Sequence, residues 1–226
     1  MKAWKHRKSY IEAWWRPNVT RGYLFLDRPP TEEFQPWLST SPPFRVSEDL
    51  TKLKVFPKIL WPIQVRILRT IMEAPRQGDK DVRWYVKGDD DTVVMVDNLV
   101  EVLAKYDHTK PYYIGSNSEG VKSKFDFSFD MAFGGGGFAS SYPLAEALAT
   151  KSDDCIERYS YINSEDFWLH SCLADLGVAL THDKGFHQKV KVFKKSPCET
   201  ENRGKPKGLL EKSALTSQPE YDAWPR

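Results

Sequence analysis

Apolar residues recur along this chain in short blocks whose spacing alternates between helical and extended. Trp4, Tyr10, Ile11, Trp14 and Trp15 share a helical period that stops at Arg16-Pro17, predicting a helix over 4–16. Gly22-Tyr23-Leu24-Phe25-Leu26-Asp27 reads as a buried strand closed by Arg28-Pro29-Pro30. Residues 29–45 hold five prolines and predict a loop excluded from any sheet interior. Ile63, Ile67, Leu68 and Ile71 fall on one face of a helix predicted from Pro62 to Ala74, with Pro75 just beyond. Arg83-Trp84-Tyr85-Val86 predicts a strand. Asp97-Asn98-Leu99 opens a helix running through Tyr106, with Val100, Leu103 and Ala104 on its apolar side. Pro111-Tyr112-Tyr113-Ile114-Gly115 is a further strand candidate.

Beyond these, Ser141-Tyr142-Pro143 begins a helix carrying Leu144, Ala145 and Leu148. Ser164 caps another, which carries Phe167, Trp168, Leu169, Cys172, Leu173 and Leu176 and ends at Gly177. Val178-Ala179-Leu180 predicts a short strand after it. Strands alternating with helices predict an α/β layered fold with a mainly parallel sheet. In such sheets ligands sit beyond the carboxyl ends of the strands.

Three constellations carry chemistry. The first is Asp89-Asp90-Asp91, directly after a predicted strand and before Thr92, Val93, Val94, Met95 and Val96. Three adjacent carboxylates repel one another, and a hard divalent cation with oxygen ligands relieves that cost; a solvated acidic turn is the plainer reading. The second is Gly134-Gly135-Gly136-Gly137, framed by Met131, Phe133 and Phe138. It lets backbone approach a ligand closely, where an isolated glycine run would read as a linker. The third is Glu165-Asp166 at a predicted helix start. One acid suffices to complement the helix dipole, and the pair also offers a general base. With a cation in view, His187 in Gly185-Phe186-His187-Gln188 becomes a candidate third ligand.

The 226 residues fit one large domain with a tail, and a net charge of +2 gives no electrostatic pointer to nucleic acid. Lysines crowd the segment from Lys184 to Lys212, so 189–226 is expected to be a polar, disordered tail. No stretch approaches the roughly 20 apolar residues of a membrane span. Three cysteines are too few for a disulfide scaffold, although Cys155 and Cys172 can pair across a short connection and leave Cys198 over.

Taken in order, these pieces resemble the plant Fringe-like branch of the β-1,3-glycosyltransferases. The resemblance is carried by Trp84 to Val93, Gly134 to Ala139, Glu165-Asp166 and Gly185 to Gln188. Trp14-Trp15-Arg16-Pro17, Gly22 to Asp27, Pro42 to Asp49 and Val100 to His108 add to it, so it covers about residues 9–188. It implies a GT-A-like, Rossmann-like layered fold with a mainly parallel mixed sheet, occupying residues 1–188. It further implies inverting transfer of a sugar from a UDP-sugar to a glycan or glycoprotein acceptor, with Mn²⁺, in the Golgi lumen. Asp89 and Asp91 would then ligate the metal with His187. Asp89 or Asp90 would lie near the ribose or a metal-bound water, and Gly135, Gly136 and Gly137 would shape the donor and acceptor cleft. Asp166, with Glu165 beside it, would supply the base, and Cys155 and Cys172 match positions of a lumenal disulfide. The family's upstream apolar strand and membrane anchor have no counterpart here, and 189–226 has no likeness to the family. The expectation is therefore a fold incomplete at the N-terminus, truncated at both ends, with a catalytically dead remnant as the alternative. The pattern Asp89-Asp90-Asp91-Thr92-Val93 also fits aspartyl-phosphate phosphatases with Asp89 as nucleophile, but Lys87-Gly88 interrupts the apolar strand they require.

Overall fold

The computed structural model describes residues 2–188 of the chain. In chain order the helices are α1 (Lys2–Glu12), α2 (Pro62–Glu73), α3 (Val96–Leu103), α4 (Val121–Asp126), α5 (Tyr142–Arg158) and α6 (Glu165–Asp175). The strands are β1 (Leu24–Leu26), β2 (Phe44–Val46), β3 (Trp84–Lys87), β4 (Tyr113–Gly115), β5 (Phe138–Ser141) and β6 (Leu180–His182). The expectation for residues 189–226 lies outside the described residues.

The main sheet has strand order β3-β5-β4-β6. β5 runs antiparallel to both β3 and β4, whereas β4 and β6 are parallel. Three of the four strands therefore share a direction, and β5 is inserted against them. The result is a mixed α/β layered sheet of the kind compatible with a Rossmann-like glycosyltransferase fold.

Side-chain alternation along β4 and β5 sorts the core into two layers. Tyr113 and Phe138 face α2, α5 and α6, where they join Leu68, Met72, Leu148, Ile156, Trp168 and Leu173. Ile114 and Ala139 point the other way, toward Leu103 and Phe186, with Leu99, Val102 and Tyr106 packed around them. All four β5 residues are buried, as befits a strand paired on both edges. Gly115 is required at this crossing, because a β-carbon there would lie 2.9 Å from that of Ala132.

Several sequence expectations need correction. Phe44–Val46 lies partly in the predicted loop, yet it pairs in parallel with β1 to form a separate two-stranded sheet. This satisfies the proline rule, since β2 is an edge strand and not a sheet interior. β5 was not expected, because Phe138-Ala139-Ser140-Ser141 lacks the alternation that marks a half-buried strand. The first helix ends at Glu12 and not at residue 16. On α2 the buried face is Val65, Leu68, Ile71 and Met72, while Ile63 is exposed. On α3 Val100 and Ala104 are exposed, and Leu99, Val102 and Leu103 form the apolar side.

Helix α6 starts as the sequence predicts: the Ser164 hydroxyl accepts the Phe167 amide, with Glu165 and Asp166 in the first turn. Cys155 on α5 and Cys172 on α6 form a disulfide with a Cα–Cα distance of 5.8 Å, tying these helices together. Arg69, buried on α2, donates to Glu73 at 3.2 Å and to Asp153 of α5 at 3.0 Å, and also pairs with Glu48. These contacts fix α2, α5 and α6 beneath the sheet, so the start of α6 is held at a defined place beside the end of β3. No helix among the described residues is long and apolar enough to cross a membrane.

Candidate active site

The end of β3 delivers Lys87 and then the turn Gly88-Asp89-Asp90-Asp91-Thr92. Thr92 sets the shape of this turn. Its backbone amide donates to the Asp89 carbonyl at 3.1 Å, and its hydroxyl accepts the Asp89 amide at 2.8 Å. The same hydroxyl donates to the Gly135 carbonyl at 3.2 Å, which fastens the acidic turn to the glycine run. Threonine hydroxyls commonly bond nearby backbone groups and so favour turns. Thr92 was named in the acidic motif, but its role as the tie to the glycine run was not foreseen there.

The glycine run is a tight 3₁₀ turn over Gly134–Gly136, and each glycine meets a different part of the site. At Gly134 a β-carbon would lie 2.4 Å from Asp166 Oδ1 and 3.0 Å from Lys87 Nζ. At Gly135 it would strike the Phe133 ring at 2.7 Å, and at Gly136 the His187 carbonyl at 3.1 Å. Gly137 adopts φ of 75°, and a β-carbon there would sit 3.1 Å from the Lys87 carbonyl. The run is therefore a junction and not a linker. It brings the acidic turn, the acid pair and the backbone of His187 around one point.

Asp166 accepts the Gly134 amide through Oδ2 at 2.8 Å. Burial pushes its carboxyl up to about 7, and the charges of Glu165 and Asp89 add to the effect; Lys87 and the Gly134 amide oppose it. Glu165 sits beside it, partly buried, in the first turn of α6. Lys87, whose side chain is only 11% exposed, pairs with Asp89. Its ammonium thus lies between the acidic turn and Asp166. It was missed because a lysine ending an apolar strand reads as an interruption.

The three carboxylates of the turn differ in surroundings. Asp89 is held by Lys87, and exposed Asp91 pairs with Arg7 of α1. Asp90 is raised above the ordinary carboxylate range, first by burial and also by Asp91 and Asp89, against the pull of Arg7. His187 contributes its backbone to the junction, while its side chain is exposed. Next to it, Gln188 accepts the Ser118 hydroxyl at 3.1 Å and the Glu119 amide at 3.0 Å.

Among the described residues no group of three or more His, Cys, Asp and Glu side chains is placed to hold a metal ion. Asp89, Asp91 and His187 thus do not close into a protein-only cage. The donor chemistry still fits a hard dication of the kind that uses one or two carboxylates and completes its shell with substrate phosphates. Asp89 and Asp91 would be the residues to hold it.

Residues 123–194 match a family described as "Protein of unknown function, DUF604". The chain is 32% identical over 107 residues to the "Beta-1,3-glucosyltransferase" of Mus musculus, a match covering 47% of this chain and 21% of that protein. It is 31% identical over 113 residues to the "Beta-1,3-glucosyltransferase" of Homo sapiens, covering 50% of this chain and 22% of that protein. The matches thus span about one fifth of the length of these relatives. Over about half its length, the chain is similar to glycosyltransferases.

Proposed function

We propose that this chain carries the donor site and catalytic acid pair of an inverting glycosyltransferase of the Fringe-like kind. It would move a sugar from a UDP-sugar to a hydroxyl of a glycan or glycoprotein, forming a β-1,3 linkage. The observation that carries the reading is the junction at Gly134–Gly137. It sets a carboxyl held at about 7 directly against the end of the strand that delivers three acids. The similarity to β-1,3-glucosyltransferases supports the same chemistry.

In this reading Asp166 takes the acceptor hydroxyl's proton, because a base works best when its pKa lies near the working pH. Burial keeps Asp166 from ionising too early, and the Gly134 amide fixes its orientation. Glu165 supplies a second negative charge that raises its basicity. Gly135, Gly136 and Gly137 let the Phe133 ring and the His187 and Lys87 carbonyls close in on the junction, and in this way would shape the donor and acceptor cleft. Mn²⁺ held by Asp89 and Asp91, with His187 as a further candidate ligand, would stabilise the charge that develops on the departing diphosphate. Asp90 would lie near the ribose. The Cys155–Cys172 disulfide supports an oxidising compartment such as the Golgi lumen.

The test is release of UDP from a panel of UDP-hexoses in Mn²⁺, with and without β-linked disaccharide acceptors. The wild type is expected to turn over at least one donor. Asp166→Asn should lose about 10²- to 10⁴-fold in rate while binding UDP as well as the wild type. Equal turnover by both proteins would remove Asp166 from the chemistry. Hydrolysis of a phosphomonoester, abolished in Asp89→Asn, would favour the phosphatase reading.

A further inference from the structure

The N-terminal segment holds the acidic turn at two points and the helix after it at a third, each about 80 residues away in sequence. Arg7 on α1 pairs with Asp91. The Trp14 indole donates to the Thr92 carbonyl at 3.0 Å. Arg16 makes a two-pronged pair with Asp97, at 2.8 and 2.7 Å, just beyond the turn. Of the three, only Arg7 reaches a carboxylate that the proposed function assigns to a divalent cation.

We propose that Arg7 is an internal counter-cation that competes with a divalent cation for Asp91, so that it sets how tightly the acidic turn takes that ion. This rests on the reading that Asp91 is a metal ligand. A carboxylate oxygen held by a guanidinium offers fewer lone pairs to a metal, and two cations within a few Å repel each other. The two side chains are 40% and 44% exposed, so the pair opens to solvent without disturbing the core. The helix does not depend on the pair to stay in place. Trp4 is buried and stacks on Trp37 at 5.3 Å, and Ile11 is buried on the same helix. Arg7 can also rest against Tyr10, whose ring lies 5.9 Å from the guanidinium. Lys87 differs: it is deeply set between Asp89 and the glycine turn and has no comparable exit.

The experiment measures Mn²⁺ affinity of the full chain at a fixed UDP concentration by calorimetry, with free Mn²⁺ followed independently by electron paramagnetic resonance. An exposed ion pair contributes little, so Arg7→Gln is expected to tighten Mn²⁺ binding by about two- to five-fold. Arg7→Met, which keeps the aliphatic stem, should do the same, and Arg7→Lys should stay near wild type. In an Asp91→Asn background Arg7→Gln should have no effect. Unchanged or weaker affinity in folded Arg7→Gln and Arg7→Met, with measurable binding in the wild type, would overturn the competition and leave the metal role of Asp91 standing. Failure of the wild type and both variants to bind Mn²⁺ at millimolar concentration with UDP present would overturn both.

Discussion

Replacing Asp166 with asparagine removes a carboxyl that the fold holds at about 7 against an ordinary value of 3.8. The folded chain keeps this proton where the unfolded chain releases it. Stability from this group is therefore fully present below about pH 4, falls as pH rises, and is lost above about pH 7. The gap between 3.8 and about 7 corresponds to roughly 4 kcal/mol as an upper bound. Asparagine keeps an oxygen for the Gly134 amide but cannot ionise, so its stability lacks this slope. Urea unfolding of both proteins, followed by tryptophan fluorescence at about pH 4, 6 and 8, isolates the effect, since other titrating groups cancel in the difference. The advantage of Asp166→Asn over wild type should grow across that range by up to about 4 kcal/mol, then level off. A difference independent of pH would refute the claim that burial holds this carboxyl up.

Two further outcomes follow from the same geometry. Gly134→Ala drives a methyl group to 2.4 Å from Asp166 Oδ1, so thermal unfolding should show a loss of about 1–3 kcal/mol, and UDP-hexose turnover should fall with it. Cys172→Ser opens a link between residues 17 apart, and chemical denaturation should register a loss of about 3 kcal/mol; reducing agent should affect the wild type in the same direction and this variant hardly at all.

Elements with a strong local signal were legible in the sequence. Trp84–Lys87, the Ser164 cap and the helix after Tyr142-Pro143 all carry their own start signals, and each forms where expected. β5 was not legible, because its strand identity comes from partners on both edges and not from its own four residues. The face of α2 was misread for a related reason. Arg69 and Glu73 are buried there as a pair, which turns the helix away from the purely apolar stripe that includes Ile63. Within the site, residue types with uncommon clustering stood out: the acid triplet, the glycine run and the Glu165-Asp166 pair. Lys87 and Thr92 act through the glycine run and Asp166, and Gly134, though inside the run, takes its role from Asp166, 32 positions on. Arg7 is the extreme case, since its partner Asp91 is 84 positions away.

If the acidic turn and the glycine junction together form a UDP-sugar site, UDP must bind there through the metal. Calorimetric titration of UDP in the presence of Mn²⁺, on the wild type and on Asp91→Ala, addresses it most directly. Binding by the wild type is expected to be saturable, to require Mn²⁺, and to weaken by at least about ten-fold in Asp91→Ala. Equal affinity in the two proteins, or binding indifferent to Mn²⁺, would contradict it.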